Sequence, residues 1–157
     1  MTEIVKPEFG PHCAYFSPFE DSKSPMPEYQ TELSAGVDLA AWWTPSIAWE
    51  HYTILPGQFQ IIPTGLRVKI CPGFEGQVRS RSGLAAKHGV FVLNSPGTVD
   101  ADYDGEIKVI LANMGVHTFD VRPGDRIAQM VFAPLAVANC TIKGVVRGQG
   151  GFGSTGK

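Results

Sequence analysis

Glycine and proline punctuate this chain so densely that no long helix can be laid through it. The 157 residues include 18 glycines and 12 prolines, and residues of both types tend to end or bend a regular element. Between them lie short runs rich in apolar and β-branched residues: Val37–Ala41, Gln58–Ile62, Leu66–Cys71, Val90–Asn94, Glu106–Ala112, Ile127–Phe132 and Thr141–Val146. Turn dipeptides bound them, namely Pro56-Gly57, Pro72-Gly73, Pro96-Gly97 and Pro123-Gly124. Many short strands with such spacing predict an all-β sandwich or jelly roll. One stretch alone reads as helix. Ser82 is its expected cap, Gly83 to His88 give about one and a half turns, and Gly89 suits the stop.

Charge and length narrow the function classes. Lys+Arg number 13 against 15 Asp+Glu, which predicts no nucleic-acid partner. At 43% hydrophobic and 18% charged the chain should fold, as one domain with a real core. No apolar run approaches the ~20 residues of a bilayer span, so no membrane partner is expected. Met1 to Pro7 carries charges where a signal peptide needs apolar residues, which predicts a cytoplasmic protein. Cys13, Cys71 and Cys140 are odd in number and widely spaced, and His12, His51, His88 and His117 do not complete a zinc pattern. Inert thiols in a reducing compartment are the expectation. Asn139-Cys140-Thr141 matches a glycosylation acceptor but lacks the secretory context. Residues 1–32 read as an irregular leader, 33–146 as the folded domain, and 147–157 as a glycine-rich tail.

Three motif matches fail on context. Gly151 to Lys157 spells the letters of a phosphate-binding P-loop, without the hydroxyl residue and helix that should follow. Gly148 to Gly153 matches G-x-G-x-x-G, without a βαβ unit. Asp100 to Gly105 begins like a calcium loop, but its twelfth position is Leu111 instead of Glu. The tail still stands out, with five glycines in nine residues and Phe152, Ser154 and Thr155 among them. It suits either a disordered end or a nucleotide lid, with the ring stacking on a base and free N–H groups meeting phosphate.

Five segments combine pliable backbone with charge or hydroxyl groups. They are Ala35–Leu39, Gly76–Ala85, Asn94–Tyr103, Gly124–Gln129 and Arg147–Gly156. In this order and spacing they resemble the five motifs of the trimeric dUTP pyrophosphatase (dUTPase) family. The resemblance runs from about Leu33 to Gly156. It implies a jelly-roll-like distorted barrel assembled as a homotrimer, with each active site drawing motifs from all three chains. It also implies hydrolysis of dUTP to dUMP and pyrophosphate, with Mg²⁺ on the triphosphate. That reaction keeps uracil out of DNA and supplies dUMP for thymidylate synthesis.

Residue roles carry over position by position. Asp100 falls where the family places its catalytic carboxylate, activating the water that attacks the α-phosphorus. Read alone, an Asp in so turn-rich a segment more often marks an Asx turn. Tyr103 resembles the tyrosine that packs on the deoxyribose and excludes a 2′-hydroxyl, with a strand aromatic in the core as the lesser alternative. Asn94 matches the uracil reader, its amide able to donate and accept, with Gly97, Thr98 and Val99 supplying further base contacts. Arg81, Ser82 and Gly83 match the phosphate-binding segment, Arg81 offering a fixed fork of donors. Gln129 matches a residue near the phosphates. In the tail, Arg147, Gly153, Ser154 and Thr155 would bind the γ-phosphate and Phe152 would stack on uracil. No direct metal ligand is implied. Asp38 is expected to act at one remove, ordering waters on Mg²⁺ or orienting an Arg. Ser80 departs from the family, where many members carry Pro, and should loosen the turn before Arg81. Arg79, Asp125 and Arg126 read as surface, turn or interface groups. Two other functions fit the same fold: dCTP deamination, which needs a catalytic Glu that Glu106 does not match in context, and a dUTPase with an added partner-regulating role.

Overall fold

The computed structural model describes residues 12–43, 50–136 and 138. Eleven strands and one helix fill them: β1 (Ala14–Pro18), β2 (Val37–Ala40), β3 (Tyr52–Ile54), β4 (Phe59–Pro63), β5 (Leu66–Ile70), β6 (Phe74–Arg79), α1 (Ser82–His88), β7 (Val90–Val92), β8 (Gly97–Val99), β9 (Lys108–Asn113), β10 (Phe119–Val121) and β11 (Arg126–Pro134). Two sheets dominate, one in the order β2-β11-β6-β8 and the other β4-β9-β7. Two-stranded pairs β1-β5 and β10-β3 complete the frame. Every pairing is antiparallel, and the whole is a distorted jelly roll.

Alternation of side chains explains the sheets. In β5, Leu66, Val68 and Ile70 are buried while Arg67 and Lys69 are exposed. In the first sheet Val37, Leu39, Val78, Val99, Ala128 and Met130 point inward. They join Ile62, Val90, Val92, Val109 and Leu111 of the second sheet in one apolar cluster. Core strands of this kind are stabilised chiefly by burial, at about 25 cal/mol per Å² of apolar surface.

Six of the seven expected strands are found, with ends shifted by one or two residues. The seventh, Thr141–Val146, lies outside the described residues. Five strands were not anticipated. One of them, β1, runs through the supposedly irregular leader and pairs with β5, Ala14 facing Ile70 and Pro18 facing Leu66. Just beyond that pairing the Cys71 N–H donates to the Cys13 carbonyl (2.9 Å), and both thiols are free.

A second strand, β6, is hidden in sequence by Gly76. Packing around that glycine is tight. A Cβ there would lie 3.1 Å from Ile70 Cδ1 and 3.3 Å from both Met130 Sδ and Val99 Cβ. The helix stop is as expected, Gly89 adopting φ 68°, a left-handed value suited to glycine. The helix start is not. Arg81 occupies the cap position, with no side-chain cap bond, and Ser82 is the first helical residue.

Candidate active site

Opposite the core, the outer face of the β2-β11-β6-β8 sheet carries polar groups because its strands keep the same alternation. Asp38, Gln129, Gln77, Arg79 and Thr98 all occupy non-core positions there. Pairing aligns three of them in one cross-strand row, Asp38 facing Gln129 and Gln129 facing Arg79. The chain leaves β6 at this row and turns into α1, which places Arg81 beside it.

A compact charged cluster results. Arg81 Nε lies 3.2 Å from Asp38 Oδ1, and Arg81 Nη1 donates to the Arg126 carbonyl at 2.7 Å. The second Asp38 oxygen accepts from Arg126 Nη1 at 3.0 Å, and that same nitrogen donates to Gln30 Oε1 at 2.9 Å. A register shift between Arg126 and Ala128 buries both Ile127 and Ala128. Such a bulge re-aims neighbouring side chains, here bringing Arg126 onto Asp38. Gln129 Nε2 donates to the Ser80 carbonyl (3.0 Å), tying β11 to the turn before Arg81. Asp38 thus pairs with two arginines. In sequence Arg126 reads as a turn or interface group; its pairing with Asp38 depends on the bulge. Asp125 keeps its turn role, Oδ2 accepting the Arg122 N–H at 2.8 Å. Arg79 is exposed and donates Nε to Gln77 Oε1 (3.1 Å), whose amide in turn donates to Glu75 (2.8 Å).

A second group lies along β8. Gly97 and Val99 are buried and Thr98 is exposed. A Cβ on Gly97 would come within 3.1 Å of Asn94 Nδ2, so the absent side chain lets the exposed Asn94 amide lie against the strand. Beyond the other end of β8, the Tyr103 N–H donates to the Asp100 carbonyl at 3.1 Å, closing a turn. Asp100 and Tyr103 are thereby held together. Tyr103 Oη donates to the Glu106 carbonyl (2.8 Å). Its ring rests so closely on Gly105 that a Cβ there would sit 2.5 Å from Tyr103 Oη. Burial, with a smaller contribution from Glu106, raises the Tyr103 pKa above the usual 10.0. The phenol thus stays protonated at neutral pH and keeps its donor role. Tyr103 is half-buried and also packs on the core, as the reading of it as a core aromatic expects.

The two groups are separated on one chain. Gly97 faces Val78, and Val99 faces Gly76. The Asn94 end of β8 therefore lies nearest Arg79 and Arg81, and the Asp100 end lies farthest from them. From Val99 to Asp38 the sheet geometry gives three residues along the strands and three strands across, roughly 17 Å. Ser82 and Gly83 are exposed at the start of α1. Arg147, Phe152, Gly153, Ser154 and Thr155 lie outside the described residues. Among the described residues no group of three His, Cys, Asp or Glu side chains could hold a metal, and Asp38 is already engaged by two arginines.

Comparison with known proteins follows the same lines. The dUTPase family model matches residues 22–156. A deoxyuridine 5′-triphosphate nucleotidohydrolase of Chlamydia trachomatis is 53% identical over 142 residues, covering 87% of this chain and 94% of its own. The Chlamydia muridarum protein of that name has the same identity and coverage. Among solved structures, a dUTPase from Streptococcus mutans superposes with TM-score 0.70 at 26% identity, over 80% of this chain and 98% of that one. A mutant dUTPase from phage phi11 of S. aureus, whose structure concerns coordination of a structural Mg(II) ion, shares the fold at TM-score 0.69 and 20% identity, over 87% of this chain and 99% of that one. With the motifs, the jelly roll and these relatives in agreement, the chain belongs to the dUTPase family.

Proposed function

We propose that this protein is a dUTP diphosphatase, hydrolysing dUTP to dUMP and pyrophosphate in the cytoplasm, and so limiting uracil in DNA while supplying dUMP for dTMP synthesis. The observation that carries the reading is the Asn94–Tyr103 segment. It sets an exposed amide against one end of a three-residue strand and a carboxylate with a tyrosine at the other. The separation, about 10 Å along the strand, suits a nucleoside lying on β8. Its base would meet Asn94 and the backbone of Gly97, Thr98 and Val99. Its sugar would lie on Tyr103, and its α-phosphate would reach Asp100. Asp100 takes the proton of a water that attacks the α-phosphorus, and the pyrophosphate oxygen leaves on the opposite side. General-base help of this kind contributes about 10²–10⁴-fold.

The same geometry supports a homotrimer with shared sites. A nucleotide with its base at Asn94 and its α-phosphate at Asp100 extends its β- and γ-phosphates away from Arg81 of its own chain. The Arg81–Asp38–Gln129 cluster, with Ser82 and Gly83, therefore serves a nucleotide held by another copy. Arg147, Gly153, Ser154 and Thr155 close over the γ-phosphate, with Phe152 on the base. The donor set fits Mg²⁺ carried on the triphosphate, with Asp38 and Gln129 within reach of its waters and no protein cage. Bound there, Mg²⁺ would supply neutralisation of the phosphate charge.

A panel of four nucleotides tests the assignment. With Mg²⁺ present, pyrophosphate release is expected from dUTP, with dTTP and UTP, which add a methyl and a hydroxyl, each about 10²-fold slower, and dCTP, which mispairs the base-reading groups, slower by at least about 10²-fold. Ammonia released from dCTP would identify a deaminase instead. Equal turnover of dUTP and UTP would remove Tyr103 from the sugar site.

A further inference from the structure

We infer that Ser80 is a positioning residue for base selection, acting through the Asn94–Val99 hairpin. The inference rests on the dUTP reading above and on two hydrogen bonds made by one residue. Ser80 Oγ accepts the N–H of Val92 at 3.0 Å, and the Ser80 carbonyl accepts from Gln129 Nε2 at 3.0 Å. The first bond spans the two main sheets, since Ser80 follows β6 of the β2-β11-β6-β8 sheet and Val92 ends β7 of the other.

Among the described residues, Ser80 is the partner the Val92 N–H finds on that side. β7 is the outermost strand of its sheet. Leu93 donates back to Ile110 on β9 (2.8 Å), so by alternation the Val92 N–H faces away from β9. Val92 is only 1% exposed, and a buried backbone amide must be paired. The Ser80 hydroxyl meets that need. The Val92 carbonyl, which faces away from β9 with its N–H, accepts the Ser95 N–H at 3.1 Å, which opens the turn carrying Asn94. Both backbone groups of Val92 are thus held, two residues before the base-reading amide. A hydroxyl is required for this. Proline, common at the equivalent place in the family, has no such acceptor, so Ser80 adds a tether where a looser turn was expected.

Steady-state kinetics of the full-length protein with dUTP and dCTP, for wild type, Ser80→Ala and Ser80→Thr, test the inference. Backbone amide exchange at Val92 accompanies them. Ser80→Ala leaves a buried N–H unpaired, worth about a tenfold change. We expect about 10-fold faster exchange at Val92, a KM for dUTP raised about 10-fold with kcat within 3-fold, and a preference for dUTP over dCTP reduced about 10-fold. Ser80→Thr, which retains the hydroxyl, should restore all three. Faster exchange in Ser80→Ala with unchanged selectivity would make the tether structural only and overturn the positioning role. Unchanged exchange would overturn the tether itself. Failure of the wild type to hydrolyse dUTP would instead overturn the functional reading, which the exchange measurement does not depend on.

Discussion

Asp100→Asn should lower kcat on dUTP by at least about 10²-fold while the affinity for a non-hydrolysable dUTP analogue changes little. The amide keeps the shape of the carboxylate, and the turn is closed by backbone, the Tyr103 N–H on the Asp100 carbonyl. The Asn94–Val99 hairpin should therefore survive the change. What is lost is the basic oxygen. Steady-state turnover with analogue binding by calorimetry separates these effects. A variant with near-normal kcat would remove Asp100 from the chemistry. One that loses binding and turnover together would make it a fold element.

Arg81→Ala is expected to lower kcat/KM on dUTP by about 10²-fold or more, the scale of losing one preorganised donor to a charged phosphate. The guanidinium is aimed in advance by Asp38 and the Arg126 carbonyl, so little ordering is left to the moment of binding. Arg81→Lys should recover only a small part, because a point charge cannot reproduce the fork. The ion pair itself adds little to stability, its partners being partly exposed at 26% and 15% and screened by solvent. Unfolding midpoints of the two variants should accordingly stay close to wild type. Full activity in Arg81→Ala would exclude this cluster from phosphate binding.

The legible part of the fold was the part written in alternating side chains. β5 reads in sequence almost as it folds, and β9 and β11 were recognisable from their apolar runs. β6 was not, because Gly76 breaks its apolar pattern for a reason that exists only in three dimensions, the side chains of Ile70, Val99 and Met130 closing over it. β1 was masked by the prolines and glycines around it, and by depending on a partner fifty residues away. Ser82 looked like a cap because hydroxyl residues favour that position, yet the backbone turns into the helix one residue earlier.

At the candidate site, the motifs single out Asp38, Arg81, Asn94, Asp100, Tyr103 and Gln129 by position. Their grouping was not legible. That Arg126 completes the Asp38 cluster depends on the bulge in β11, and that Arg81 and Asp100 lie at opposite ends of β8 depends on the β6–β8 register. Neither leaves a trace in local sequence. The separation is also what makes assembly part of the catalytic argument.

The central claim is that water attacks the α-phosphorus of dUTP, where Asp100 would serve as its base. It is tested most directly by hydrolysing dUTP with Mg²⁺ in ¹⁸O-enriched water and weighing both products. Attack at the α-phosphorus places the label in dUMP and leaves the pyrophosphate unlabelled. Label in the pyrophosphate, or release of labelled orthophosphate, would mean attack at the β- or γ-phosphorus and would contradict the account.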